Sequence, residues 1–188
     1  SYPSPFLRVL HTSARRAVDS TGETGSFFMK ILYIDAFSGI SGDMAVGALL
    51  ALGVPFEHLR TTLALLPLSD YTLQAEPCTV QSISATNFEV QLAAADHSHA
   101  SSSTIPQATH HHHRPFYHIR DMITASALDD TVKQYALTIF THLAHAEGHV
   151  HGMPPDDVSF HEVGAVDSIV DIVGAAIGLA WLGIERVY

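Results

Sequence analysis

One cysteine, Cys78, is the whole thiol content of a chain of 188 residues, so an intrachain disulfide and a thiolate cluster for zinc or iron–sulfur are excluded. A reducing, cytoplasmic setting agrees with that usage. Lysine is nearly as scarce, at Lys30 and Lys133. The balance of 9 basic against 19 acidic residues leaves −10 with histidine neutral. Clustered Lys and Arg are what grip a nucleic-acid backbone, so nucleic acid is not an expected partner. No stretch reaches the roughly 18 uncharged apolar residues of a membrane span, and the one long apolar stretch, 160–181, is broken by its own carboxylates. No membrane is expected. Walker A, dinucleotide and G-x-S-x-G signatures are missing too, which removes the familiar nucleotide-binding loops and a serine hydrolase.

What is present is a core and many cation-seeking groups. Hydrophobic residues make up 47%, charged ones 15%, and there are 14 histidines. The length suits one domain. Residues 1–28 are rich in Ser, Pro and Arg and show little periodicity. They read as a leader without stable structure (an expression remnant, a mis-assigned start or a targeting piece). Residues 29–188 read as a single α/β domain, a mixed β-sheet with packed helices and a long His-rich loop at 96–114. The chain stops where another strand begins, as a protein continuing into a C-terminal domain would.

Apolar runs and turn signals place a strand at 31–37, a helix at 44–52 ended by Gly53, and a second helix at 56–66. Alternation predicts a hairpin from 71–78 and 85–93. A short helix follows at 118–127, a long one capped by Asp129 or Asp130 and reaching Val150, a brief strand at 158–162, and a final helix at 167–182.

Four constellations carry chemistry. In the final helix Asp167, Asp171, Gly174 and Gly178 share one stripe. Two carboxylates one turn apart repel, and burial makes this worse unless a cation or donors intervene. The alternative is that Asp167 caps the helix and Asp171 pairs with an arginine such as Arg120. The glycines let a backbone or a ligand approach closely, and the stripe suits a homo-oligomer interface equally. His161 and Glu162, just upstream, add an imidazole and a carboxylate suited to nickel or a harder cation. Second, D-A-F-S-G-I-S-G-D-M, 35–44, runs strand, turn, helix. Ser38, Gly39, Ser41 and Gly42 are candidates to cradle phosphate there, and Asp35 and Asp43 to hold a bridging divalent ion. A plain structural turn explains the same residues. Third, His97, His99, His110, His111, His112 and His113 form a tract able to collect nickel reversibly, or an incidental low-complexity insert. Fourth, His142, His145 and His149 line one helix stripe near Glu147 and His151. They are either metal ligands or a solvated face.

Three of these stretches, I-D-A-F-S-G-I-S-G-D-M, A-E-G-H-V-H-G and F-H-E-V-G-A-V-D-S-I-V-D-I-V-G-A, together resemble the LarC family of nickel-pincer cofactor biosynthesis proteins, over Met29–Tyr188. The resemblance implies a nickel chelatase, or cyclometallase, of the lyase class. Such proteins insert Ni2+ into pyridinium-3,5-bisthiocarboxylic acid mononucleotide, forming two Ni–S bonds and one Ni–C bond, with CTP and Mn2+ or Mg2+. The apoprotein of lactate racemase would be served by the product. Family members run longer than this chain, and the CTP site is expected in the part beyond it. On that footing His161 or Glu162 would take the ring proton or hold nickel briefly. Asp35, Asp43, Asp167, Asp171 and His151 would be metal ligands, and the histidine loop would gather nickel. A non-catalytic nickel storage or delivery module and a divalent-metal phosphohydrolase are the competing readings.

Overall fold

A helix of 22 residues, α4 (Asp130–His151), shows how the sequence builds its core. Val132, Ala136, Phe140, Ala144 and Gly148 recur every fourth residue and are all buried, while His142, His145 and His149 face outward. The Asp129 carboxylate starts the helix by accepting the Thr131 N–H at 2.8 Å, satisfying one of the amides a helix start leaves free. Gly152, at φ 65°, stops it, and the Met153 N–H returns to the Gly148 carbonyl, the left-handed close that glycine allows.

The computed structural model describes residues 6–13, 17–18, 24–25, 28–36, 39–80, 82–92, 114–160 and 163–188. In chain order the elements are β1 (Phe6–Ser13), β2 (Ala17–Val18), β3 (Thr24–Gly25), β4 (Phe28–Asp35), α1 (Gly42–Ala51), α2 (Phe56–Leu63), β5 (Tyr71–Val80) and β6 (Ile83–Leu92). Then come β7 (Arg114–Pro115), α3 (Phe116–Ala125), α4, a 3-10 turn at Pro155–Asp157, β8 (Ser159–Phe160), α5 (Val166–Leu182) and β9 (Arg186–Val187). The mixed α/β class agrees with the sequence reading, as do the hairpin and all five helices to within a few residues.

Two features depart from it. In place of one sheet, the described strands form a three-stranded sheet, β1-β4-β9, and three two-stranded ones, β2-β3, β5-β6 and β7-β8. The larger sheet is mixed, because β4 runs antiparallel to β1 and parallel to β9. The β5–β6 hairpin does not extend it because α1 lies against the hairpin instead, Gly47 packing on the Thr86 carbonyl. Second, Phe6–Ser13 falls within the stretch read as a leader without stable structure, yet pairs along the whole of β4. Main-chain pairing to a strand edge gives no side-chain period to read. The histidine loop, apart from Arg114, lies outside the described residues, as do Ser38, His161 and Glu162.

α5 is the central helix. Ile169, Val170, Val173, Ala176 and Ile177 are at most 1% exposed and join Phe140, Phe160, Ile119, Ile123 and Leu63 in the main core. Leu32, Leu49, Val54 and Ile184 form a smaller cluster under β4. The glycine stripe of α5 faces α1. A side chain at Gly174 would meet Val46, and one at Gly178 would sit 2.9 Å from Leu49 Cδ1. It is therefore another helix of the same chain that uses the close approach.

Candidate functional site

The same helix contact brings two helix starts together. α1 begins at Gly42, behind a turn in which Gly39 adopts φ 89° and donates its N–H to the Ala36 carbonyl at 2.9 Å. α5 begins at Val166, behind Gly164. Gly42 sits directly on Asp171. A β-carbon there would lie 2.6 Å from both Asp171 Cβ and Asp171 Oδ2, so only glycine permits the approach.

Asp171 is half-buried. Its carboxylate accepts the Asp43 N–H, while its Oδ1 is buried with no hydrogen-bond partner among the described residues. Burial above all, then the charges of Asp43 and Asp167, push the Asp171 carboxyl up from the ordinary range to about 7; the Asp43 N–H pulls weakly the other way. A buried acceptor without a donor costs on the order of 1–3 kcal/mol. The Arg120 pairing does not occur. Arg120 instead meets Asp156 at 2.8 Å and Asp121 at 3.5 Å.

Asp167 behaves differently. It is exposed, and its Oδ1 accepts the Ser168 N–H at 2.8 Å, so it tends a free amide in the first turn and complements the helix dipole there. Asp43, in the first turn of α1, has the same dipole benefit. Asp171 lies beyond the first turn of its helix, where that benefit has faded. Capping and dipole together therefore explain two of the three carboxylates and leave the third unsatisfied.

Of the other residues singled out from sequence, Asp35 ends β4 and is exposed, and it is not among the charges that act on Asp171. Ser41 occupies the N-cap position of α1 but its hydroxyl makes no capping bond. The amides of Gly39 and Asp43, two of those a phosphate would use, are taken up inside the protein. His151 ends α4, with Nε2 3.7 Å from Glu147 Oε1. His142, His145 and His149 are exposed, as a solvated face requires. Among the described residues no three His, Cys, Asp or Glu side chains come together as a metal-ligand set. Sequence reasoning passed over Arg114, whose Nη1 is buried without a hydrogen-bond partner among the described residues; an arginine closing a histidine tract in so acidic a chain was the available signal.

Residues 32–188 match the family model described as nickel insertion protein. The pyridinium-3,5-bisthiocarboxylic acid mononucleotide nickel insertion protein of Geobacillus kaustophilus is 49% identical over 162 residues, covering 85% of this chain and 38% of that protein. The protein of the same description from Lactiplantibacillus plantarum is 47% identical over 172 residues, covering 85% and 39%. The chain thus spans less than two-fifths of the length of these relatives. No solved structure matches it.

Proposed function

We propose that this chain, which belongs to the nickel insertion protein family, contributes a cation-dependent site to the insertion of nickel into pyridinium-3,5-bisthiocarboxylic acid mononucleotide. The observation that carries this is Asp171 Oδ1, buried and without a donor among the described residues where the starts of α1 and α5 meet. Both starts lie in stretches that carry the family resemblance. Two carboxylates, Asp171 and Asp43, are an oxygen donor set suited to Mg2+ or Mn2+. Magnesium sites commonly use one or two carboxylates and take remaining ligands from substrate phosphate and water, which suits a place with no complete protein ligand set among the described residues. Such an ion supplies charge neutralisation for a nucleotide phosphate, whether of the mononucleotide or of CTP.

Nickel is the substrate metal. Two Ni–S bonds form to the thiocarboxylates and one Ni–C bond to the ring carbon between them, whose proton must leave to a base. His161 or Glu162 takes that proton in this reading. They follow directly on β8, and the peptide turns back at Gly164 toward α5. The histidines at 97–113 would hold nickel loosely before transfer, because ordering a loop around an ion costs entropy. A nickel chelatase of the lyase class, acting in the cytoplasm and serving lactate racemase, is the full form of the proposal.

The test is mass spectrometry of the mononucleotide after incubation with the protein, Ni2+, CTP and Mn2+. The expected result is a nickel-bearing product, lost in Asp171→Asn and in whichever of His161→Gln and Glu162→Gln removes the base. A protein that binds nickel through its histidines but yields no such product under any of these conditions is a storage or delivery module. An Asp171→Asn variant with unchanged yield removes the assigned site.

A further inference from the structure

The C-terminal half of α4 carries histidines that the proposed reaction leaves unused. His142, His145 and His149 share one stripe of the helix, and all three are exposed. His145 and His149 stand one turn apart, which sets their β-carbons roughly 5–6 Å from each other and leans both side chains the same way along the helix. Two imidazoles at that spacing are a familiar way for a single helix to hold a metal ion. The neighbouring acid is engaged elsewhere. Glu147 lies on the other side of the helix, with its Oε1 3.7 Å from His151 Nε2.

The backbone beneath the pair is clamped. Ala144 and Gly148 face the interior, and the returning chain presses on Gly148 so closely that a β-carbon there would lie 2.7 Å from the Met153 carbonyl oxygen. The Met153 N–H donates back to the Gly148 carbonyl at 3.0 Å. The helix therefore stays regular through His149 and does not fray at its end. An ion meets two ligands already in position, whereas the histidine tract has to order a loop around it. His149 also lies in the last turn of α4, where the negative end of the helix dipole favours a cation.

We infer that His145 and His149 form a two-imidazole site for a borderline divalent ion, with water in its remaining positions. Among the described residues no third His, Cys, Asp or Glu joins them, so the site is open and exchanges its ion readily. Such a ligand pair does not select nickel. Imidazole nitrogens take Cu2+ more tightly than Ni2+ or Zn2+, and the oxygen-seeking ions Mg2+ and Mn2+ bind weakly there. The site is thus the chemical opposite of the carboxylates of Asp171 and Asp43. It does not rest on nickel insertion either: the reaction can fail with this site intact, and the site can fail with the reaction intact.

The experiment adds Cu2+, Ni2+, Zn2+ and Mg2+ in turn to the full chain at about pH 7.5, where imidazole is neutral and free to ligate, and follows backbone amides by NMR. A second sample carries glutamine at His97, His99, His110, His111, His112 and His113, which removes the competing tract. In both, paramagnetic Cu2+ is expected to broaden amides around residues 145–149, and Mg2+ to leave them unmoved. In the second, Ni2+ saturates with a Kd on the order of 10 µM and Cu2+ binds at least about tenfold tighter. Adding His145→Gln or His149→Gln weakens Ni2+ binding at least about tenfold, while His142→Gln leaves it within about twofold; circular dichroism checks that each variant folds. Broadening that spares α4, a nickel affinity unmoved by both His145→Gln and His149→Gln, or Mg2+ binding as tightly as Ni2+ each overturn the assignment. If the substituted chains do not fold, the broadening pattern on the parent decides.

Discussion

Asp171 makes the sharpest claim at the scale of a single residue. In an unfolded chain its carboxyl ionises near pH ~3.9; in the fold it does so at about 7. Below about pH 4 both states are protonated and the residue costs the fold nothing. As pH rises the unfolded form ionises first, so stability falls progressively until the folded form also ionises, and the deficit is constant above that point. Full desolvation would make the deficit about 4 kcal/mol, and partial exposure brings it to roughly 2 kcal/mol. Asp171→Asn should therefore match the parent near pH ~4 and exceed it by about that amount above pH ~7.5, measured by urea unfolding across the range. A difference that stays flat with pH means the carboxylate is ionised at no cost, and the case for a cation loses its premise. The carboxylate pair could be read in the sequence because two acids on one apolar stripe conflict with burial. Which of them is the misfit could not, since that depends on Gly42, distant in sequence, closing over Asp171 and leaving Asp167 to the solvent.

At the scale of elements, the contact between α1 and α5 sets the site, and its glycines should not be equivalent. Alanine at Gly178 places a methyl 3.1 Å from Leu49 Cβ, an atom fixed to the backbone of α1. Overpacking of that kind costs about 1–3 kcal/mol, against a gain of roughly 1 kcal/mol in helix propensity. At Gly174 the nearest atom is Val46 Cγ2 at 3.3 Å, which needs to shift only a few tenths of an ångström. Gly174→Ala is thus expected to be near neutral and Gly178→Ala destabilising by about 1 kcal/mol, read from denaturant midpoints. The reverse order would mean that the helices meet at a different height. Helix positions were legible because apolar spacing and caps such as Asp129 and Gly152 are local signals. Sheet partners were not, because pairing of β4 with β9 joins residues such as Ile31 and Arg186 through main-chain bonds that carry no sequence period. The stripe of glycines was visible, yet its occupant was open to several readings until Val46 and Leu49 of α1 were seen to fill it.

For the whole molecule, cation binding and folding are one equilibrium. An ion that binds only the folded chain stabilises it by about 2.7 kcal/mol at a hundredfold excess over its Kd, which in a protein of this size moves Tm by roughly 5–10 °C. Manganese discriminates better than nickel here, since carboxylate oxygens suit it while imidazole tracts favour nickel. With Mn2+ the parent's Tm should rise at about pH 7.5, and much less at about pH 5.5, where a proton competes for the Asp171 oxygen. Asp171→Asn should lose the gain at both pH values, and removal of residues 97–113 should leave it intact. Nickel should show the complementary pattern in equilibrium dialysis, with most of the weakly bound ions lost when that histidine tract is deleted and Asp171→Asn having little effect on their number. An equal manganese shift in the parent and in Asp171→Asn places the ion elsewhere. The unpaired oxygen between α1 and α5 would then be a cost the fold bears without a ligand, and the proposed cation site would fall with it.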